Sequence, residues 1–327
     1  MMQVSVLVPR GDAALSTVEG SFRLFTVAND FLAMRDIAPR FETHLVGIDA
    51  EPQVYQDFFS VKPDRTIDEV SRTDLVIIPA VNGDMSEVIA ANAGFFPWIR
   101  RMREGGAELA SLCVGAFLLA ATGLLEGRKC ATHWNSADEF RRMFPEVNLV
   151  SDSIITDEDG IYSSGGALSF WNLLLYLAEK HADRDMAIFA SKFFEIDIDR
   201  DNQSSFLIFS GQKDHGDEAV RKAQDYIEAN YRERLTLDSL CDRFMVGRRS
   251  LERRFKQATG NTISEYIQRV RIEAAKKCFE TSRKNIAEVM YEVGYTDTKA
   301  FRAVFRKIAG MAPMDYRGRY QKEPVLA

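Results

Sequence analysis

The chain has 327 residues, room for two domains with separate cores, and its balance of 46% hydrophobic to 28% charged residues is that of a folded protein rather than a disordered one. No apolar run approaches a membrane span and the amino terminus lacks a basic flank followed by an apolar signal segment, so membrane and secreted classes are set aside and the cytoplasm is expected. The four cysteines are too widely spaced for a disulfide framework or a paired metal site, so neither metal nor cofactor is expected, and the net charge of −6 taken alone argues against nucleic acid.

From the start, short apolar runs alternate with longer helical stretches. Residues 4–8, 45–48, 75–79 and 108–112 read as buried strands, with helices such as 22–34 and 85–103 between them. That rhythm predicts an α/β domain whose parallel sheet is covered by helices on both faces. Asp159-Gly160 lies between two short strand-like runs, 153–156 and 161–164, and predicts an added hairpin. Gly165-Gly166 then opens a long apolar helix through Glu179.

Cys113 falls where the strand "ELASL" gives way to the helix "VGAFLLAATGLL". A side chain at a sharp strand-to-helix turn stands above the sheet, and the positive end of the following helix is expected to lower a thiol pKa. His133, in "CATHW", is the next histidine downstream. The pair fits a nucleophile and its proton acceptor; it fits equally a small buried cysteine and a structural histidine.

The stretch "SLCVGAFLLAATGLLEGRKCATHW" resembles the class I glutamine amidotransferase-like fold, in its PfpI-like branch, and the likeness runs from the first strand to about Asp185. The resemblance implies a flavodoxin-like parallel sheet with Cys113 at the nucleophile elbow and His133 at the partner position. Related enzymes also place an acid near the cysteine from the loop after the first strand; here that loop reads "ALSTVEG", with Thr17 nearer the expected place than Glu19. Cys113 and His133 are therefore vestigial catalytic candidates. The cleft above the strand ends is expected to bind a small-molecule effector, lined by Cys113, Val114, His133, Trp134, Thr17, Glu19, Asn82 and Gly83, with the Val114 and Gly83 amides suited to a carboxylate.

A linker is expected over residues 191–216, where "EIDIDRDNQSS" and "SGQKDHGDE" are polar and charged and an apolar patch at 206–209 offers a docking point between domains. The domains are then 1–190, a sensor and dimerisation unit, and 217–327, a reader unit.

From residue 236 to 310 one helix-turn-helix pattern occurs twice, at a shift of fifty positions: Leu251 falls on Phe301, Phe255 on Phe305, Gly260 on Gly310 and Leu240 on Met290. Leu251, Phe255 and Ala258 make one stripe of the first long helix, and Phe301, Val304, Phe305 and Ile308 the matching stripe of the second. The opposite faces carry Arg248, Arg249, Glu252, Arg253 and Lys256, then Thr298, Lys299, Arg302, Ala303 and Arg306. A second helix of this kind lies in the major groove, where long polar side chains are needed at one-turn spacing. Residues 217–327 hold 23 Lys and Arg against 16 Asp and Glu, a surplus of +7, while residues 1–216 hold 19 against 32, or −13. The basic charge sits with the repeat, as a footprint on DNA requires.

"LERRFK" at 251–256, Gly260, Tyr266, Arg271 with Ala275, "VGY" at 293–295, Pro313 and "YR" at 316–317 resemble the AraC/XylS family of transcription regulators. The resemblance implies an all-α domain of seven helices, in which a long helix through residues 264–279 joins two helix-turn-helix units that enter successive major grooves ~34 Å apart. It places base reading on Arg249, Glu252, Arg253, Thr298, Lys299, Arg302 and Ala303. The fusion of the two folds is similar to GlxA-type regulators. A sequence-specific transcription regulator is expected, binding double-stranded DNA and a small-molecule effector as a homodimer, with RNA polymerase a further candidate partner. The competing expectation is a cysteine-dependent hydrolase or lyase tethered to DNA.

Overall fold

Alternate residues of the first strand go to opposite sides of a sheet: Val4 and Val6 join one buried core and Leu7 another, as the two-residue period of a strand requires. A computed structural model describes residues 1–150, 153–198, 203–213 and 215–321. The chain falls into two compact units, Met1–Gln203 and Ser204–Ala327.

In the front unit β1 (Met2–Leu7) leads to α1 (Leu15–Ala33), β2 (Phe41–Gly47), a small hairpin of β3 (Gln53–Tyr55) and β4 (Phe59–Val61), β5 (Arg65–Thr66) and β6 (Leu75–Ile78). Next come α2 (Met85–Ala91), α3 (Phe95–Glu104), β7 (Glu108–Ser111), α4 (Ala116–Ala121), β8 (Lys129–Cys130), α5 (Ala137–Met143) and β9 (Asn148–Leu149). β10 (Ile155–Glu158), β11 (Ile161–Ser164), α6 (Phe170–His181) and α7 (Arg184–Phe193) complete it.

The main sheet has the order β10-β11-β7-β6-β1-β2-β5, and β10 is its antiparallel member. The strands β2-β1-β6-β7-β11 run parallel in the doubly wound, flavodoxin-like order, whose crevice opens at the carboxyl ends where the winding reverses between β1 and β6. Helices α1, α6 and α7 bury one face and α2 to α5 the other. Asp159 and Gly160 both hold positive φ, 53° and 74°, the two-residue turn that matches strand twist.

The single helix expected over 85–103 is two. Asn92 turns inward at the break, its Oδ1 accepting from the Arg10 N–H at 2.8 Å and its Nδ2 donating to the Arg10 carbonyl at 3.0 Å. Tying down the loop after β1 outweighs continuing the helix.

The second unit contains seven α-helices among the described residues: α8 (Glu218–Asn230), α9 (Leu237–Phe244), α10 (Arg248–Thr259), α11 (Ile263–Thr281), α12 (Ile286–Glu292), α13 (Thr298–Ala309) and α14 (Pro313–Tyr320). They enclose two small cores rather than one. The first half of α11 supplies Tyr266, Ile267 and Val270 to one, and the second half supplies Ile272, Ala275 and Phe279 to the other. Nineteen residues of helix extend about 28 Å at ~1.5 Å each, so α11 is a rigid spacer.

Residues 199–202 and 214 of the expected linker lie outside the described residues. The apolar patch at 206–209 packs inside the second unit, where Arg319 lies over Phe206 and the Phe209 ring meets Tyr266 edge-on at 5.1 Å. Phe206 and Ile208 stay partly exposed, at 36% and 58%. Among the described residues no helix is long and apolar enough to cross a membrane.

Candidate functional site

Each helix pair of the second unit begins with a side-chain cap. Thr236 and Ser239 satisfy each other's backbone amides at the start of α9, and Asn285 and Glu288 do so at α12. The longer helices that follow, α10 and α13, begin and end fifty residues apart. From the fourth residue on their burial repeats position for position: Leu251, Phe255 and Thr259 are inside in one, Phe301, Phe305 and Ala309 in the other, and positions 252, 253, 256 and 257 are exposed like 302, 303, 306 and 307. Ala258, Val304 and Ile308 of the expected stripes are half-buried at its edge.

All ten residues assigned to the DNA face are exposed. Arg248 pairs with Asp238 at 2.9 Å and Lys256 donates to the Gly260 carbonyl at 2.7 Å. The side chains of Arg249, Glu252, Arg253, Lys299, Arg302 and Arg306 form no hydrogen bond or ion pair with the described residues, so their charged ends are available to phosphates and base edges. Arg254, on the inner side of α10, is committed elsewhere: it grips both oxygens of Asp217 at 2.7 and 2.5 Å and ties α10 to the start of α8.

Beside each reader helix lies a groove, and the two grooves are related by the same shift of fifty. Glu252, Arg253, Lys256, Thr262, Ile263 and Ser264 line a space of about 480 Å³; Arg302, Ala303, Arg306, Ala312, Pro313 and Met314 line one of about 350 Å³. They differ in how the next helix begins. Thr262 and Glu265 cap α11 in the first, whereas Ala312 leaves α14 without a side-chain cap in the second.

In the front unit Asn82 and Gly83 follow β6, Cys113 and Val114 follow β7, His133 and Trp134 follow β8, and Thr17 and Glu19 lie in the first turns of α1. Cys113 takes the left-handed conformation, φ 53°, that an elbow between strand and helix demands. Its N–H donates to Ser164 Oγ at 3.2 Å and its carbonyl accepts from Thr132 Oγ1 at 3.1 Å. A side chain on Gly115 would overlap the Pro79 and Ile78 carbonyl oxygens, so glycine two places after the cysteine lets the turn sit against β6.

The expected low thiol pKa is corrected. Cys113 is only 6% exposed, and burial pushes its pKa up to about 11, with the Val114 amide pulling weakly the other way. His133 accepts the Asn135 N–H on Nδ1 at 3.1 Å and lies against Trp134, ring centroids 5.4 Å apart. Burial lowers its pKa, which keeps it neutral near pH 7. No hydrogen bond joins it to the Cys113 sulfur.

Thr17 is a brace: its hydroxyl donates to the Ala14 carbonyl at 2.7 Å and accepts from the Ala80 N–H at 3.1 Å. Glu19 is exposed on α1 and has no part in the pKa of the thiol. Asn82 is held by Asp12, through its N–H at 2.9 Å and its Nδ2 at 3.1 Å, and exposed Gly83 follows with φ 110°. The loops after β1 and β6 are thus laced together, and the ends of β7 and β8 are left to carry Cys113, Val114, His133 and Trp134.

Two families match the chain: the helix-turn-helix domain over residues 240–319 and the DJ-1/PfpI family over residues 26–180. The HTH-type transcriptional regulator GbdR of Pseudomonas aeruginosa is 25% identical over 285 residues, 86% of this chain and 77% of its own length. The HTH-type transcriptional regulator CdhR of the same species is 23% identical over 287 residues, 88% and 84% of the two chains. The chain joins a helix-turn-helix domain to a DJ-1/PfpI domain and is a DNA-binding transcriptional regulator.

Its front unit has the DJ-1/PfpI fold. A THiJ/PfpI family protein from Pseudomonas syringae superposes with a TM-score of 0.51 at 16% identity, covering 70% of this chain and 86% of that one. The helix-turn-helix match takes in α10 to α13 complete, so both readers of this regulator lie inside it. The DJ-1/PfpI match takes in Cys113 and His133.

Sequence reasoning missed the residues that hold the Cys113 turn: Thr132 and Ser164, with Gln203 behind Thr132. Polar residues of these kinds are common in loops, and only the fold brings them together. Gly115 did carry a signal, as a glycine directly inside the elbow.

Proposed function

We propose that this DNA-binding regulator reads sequence with Arg249, Glu252 and Arg253 of α10 and with Thr298, Lys299, Arg302 and Ala303 of α13, while Arg248, Lys256 and Arg306 hold phosphates. The observation that carries the reading is the repeat of burial at fifty residues, which keeps both basic faces outside cores that do not need them. A bundle helix without a partner gains nothing from two such faces in register.

The front unit acts as a cytoplasmic sensor and dimerisation unit, joined at Gln203–Ser204 to the reader unit. Its cleft takes a small-molecule effector against Cys113, Val114, His133 and Trp134, with Gly83 at the rim. Binding without turnover is favoured by the protonated, buried thiol and by a histidine whose Nδ1 is already engaged; a cysteine nucleophile needs the thiolate. The effector shifts the readers only by the difference in its affinity for the two arrangements.

The test is selection of genomic fragments by the purified full-length protein, followed by competition against scrambled DNA of the same length. One or a few promoter fragments retained over scrambled DNA at moderate salt is the expected result. Equal retention of all fragments contradicts it. A metabolite panel read by melting temperature tests the effector separately.

A further inference from the structure

Gln203 is the last residue of the front unit and is only 1% exposed, although glutamine is mostly a surface residue. Its Nε2 donates to the carbonyls of Thr132 and Ser153, both at 3.2 Å. A side chain on Gly165 would overlap that nitrogen, so glycine there leaves the slot the amide fills. Thr132 and the Gly165 turn are each one step from Cys113. Thr132 Oγ1 donates to the Cys113 carbonyl, and Ser164, next to Gly165, accepts from the Cys113 N–H. The amide of Gln203 therefore rests on the two loops that frame the effector cleft.

The next residue, Ser204, opens the reader unit, and within that unit the same stretch is fastened to α11. The Leu207 carbonyl accepts from Lys276 Nζ. The Phe209 N–H donates to Glu273 Oε2 at 3.2 Å. Lys276 and Glu273 pair at 3.0 Å with their side chains 5% and 13% exposed. Leu207 follows Gln203 by four positions, at most about 14 Å of chain. The fastened helix is the spacer that carries both reader cores.

We propose that Gln203 is a latch between the cleft and the spacer: a ligand that displaces the Thr132 or Gly165 loop releases the amide, and the 203–209 strap then changes its hold on α11. A buried amide donor has either both acceptors or a large penalty, so the latch has two discrete positions rather than a continuum. The inference rests on the effector reading above and adds the route by which occupancy reaches the readers.

The test measures operator affinity by fluorescence anisotropy on a promoter fragment selected by the wild type, using full-length Q203A, Q203E, T132V and the double variant T132V/Q203A, with melting curves to establish that each is folded. Q203E keeps the size of the side chain but sets an acceptor against two carbonyls, so it opens the latch without a cavity. Q203A, Q203E and T132V are expected to shift Kd threefold or more in one common direction, and T132V to add less than threefold once Gln203 is gone. Folded Q203A and Q203E within threefold of the wild type overturn the latch, as does an undiminished T132V effect in the Q203A background. The effector reading falls separately, on a metabolite panel that leaves the wild-type melting temperature unmoved.

Discussion

Gly260 and Gly310, fifty residues apart, close the two reader helices in the same left-handed conformation, φ 68° and ψ −5° in one and φ 72° and ψ −4° in the other. Nothing lies within 4 Å of a side chain built on Gly260, so only the backbone argues for glycine there. Gly260→Ala is expected to lower the stability of the reader unit by about 1–2 kcal/mol, the cost of a left-handed residue with a Cβ. Urea unfolding checks the value, and an unchanged midpoint counts against it.

The two readers separate by what their arginines touch. Arg253→Ala should cost about 1–3 kcal/mol on the selected promoter and little on random DNA, the mark of a base contact. Arg306→Ala should weaken both equally and reduce the slope of log affinity against log salt by about 1, the mark of a phosphate contact. Binding titrations at several salt concentrations distinguish them; equal losses for Arg253→Ala on the two DNAs would make it a phosphate contact.

The thiol of Cys113 should be inert at neutral pH. With its pKa pushed up to about 11 by burial, iodoacetamide at pH 8 should label the half-buried Cys241 and Cys278 before Cys113 and Cys130. The sign of the linkage follows. A raised folded pKa means the folded chain keeps a proton that the unfolded chain has lost, so front-unit stability holds below about pH 9 and declines toward pH 11. Peptide mass spectrometry showing Cys113 labelled first would restore the enzyme reading.

Asp217 does two jobs: it caps α8 by accepting the Val220 N–H at 3.1 Å and it receives Arg254. The Arg254 guanidinium lowers its pKa. That stability is present above the usual carboxylate range and is lost as acid protonates the group. Asp217→Asn keeps a capping oxygen and Asp217→Ala does not, so Ala should cost about 1 kcal/mol more in thermal unfolding. Equal losses would assign the whole effect to the ion pair.

Much of this was legible in sequence because it is periodic. The fifty-residue shift, the Asp159-Gly160 turn and the apolar runs of β1, β6 and β7 are local signals with local causes, and each appears where the pattern put it. What stayed hidden depends on contacts far apart in the chain. Asn92 breaks a helix because Arg10 is 82 residues away; α1 starts at Leu15 rather than near 22 because its first turns pack under α6, where Gly20 admits Phe170 and Trp171. The Cys113 pKa went the other way from expectation for the same reason: a helix end is visible in sequence, and the depth of burial is not.

On DNA, α10 and α13 are expected to occupy neighbouring major grooves on one face of a duplex, spaced by α11. Methylation interference on a selected promoter measures this. Two clusters of interfering major-groove positions are expected for each bound chain, centred one helical turn, about 10–10.5 base pairs, apart, the first lost with Arg253→Ala and the second with Arg302→Ala. A single cluster that survives both substitutions, or none, would contradict it.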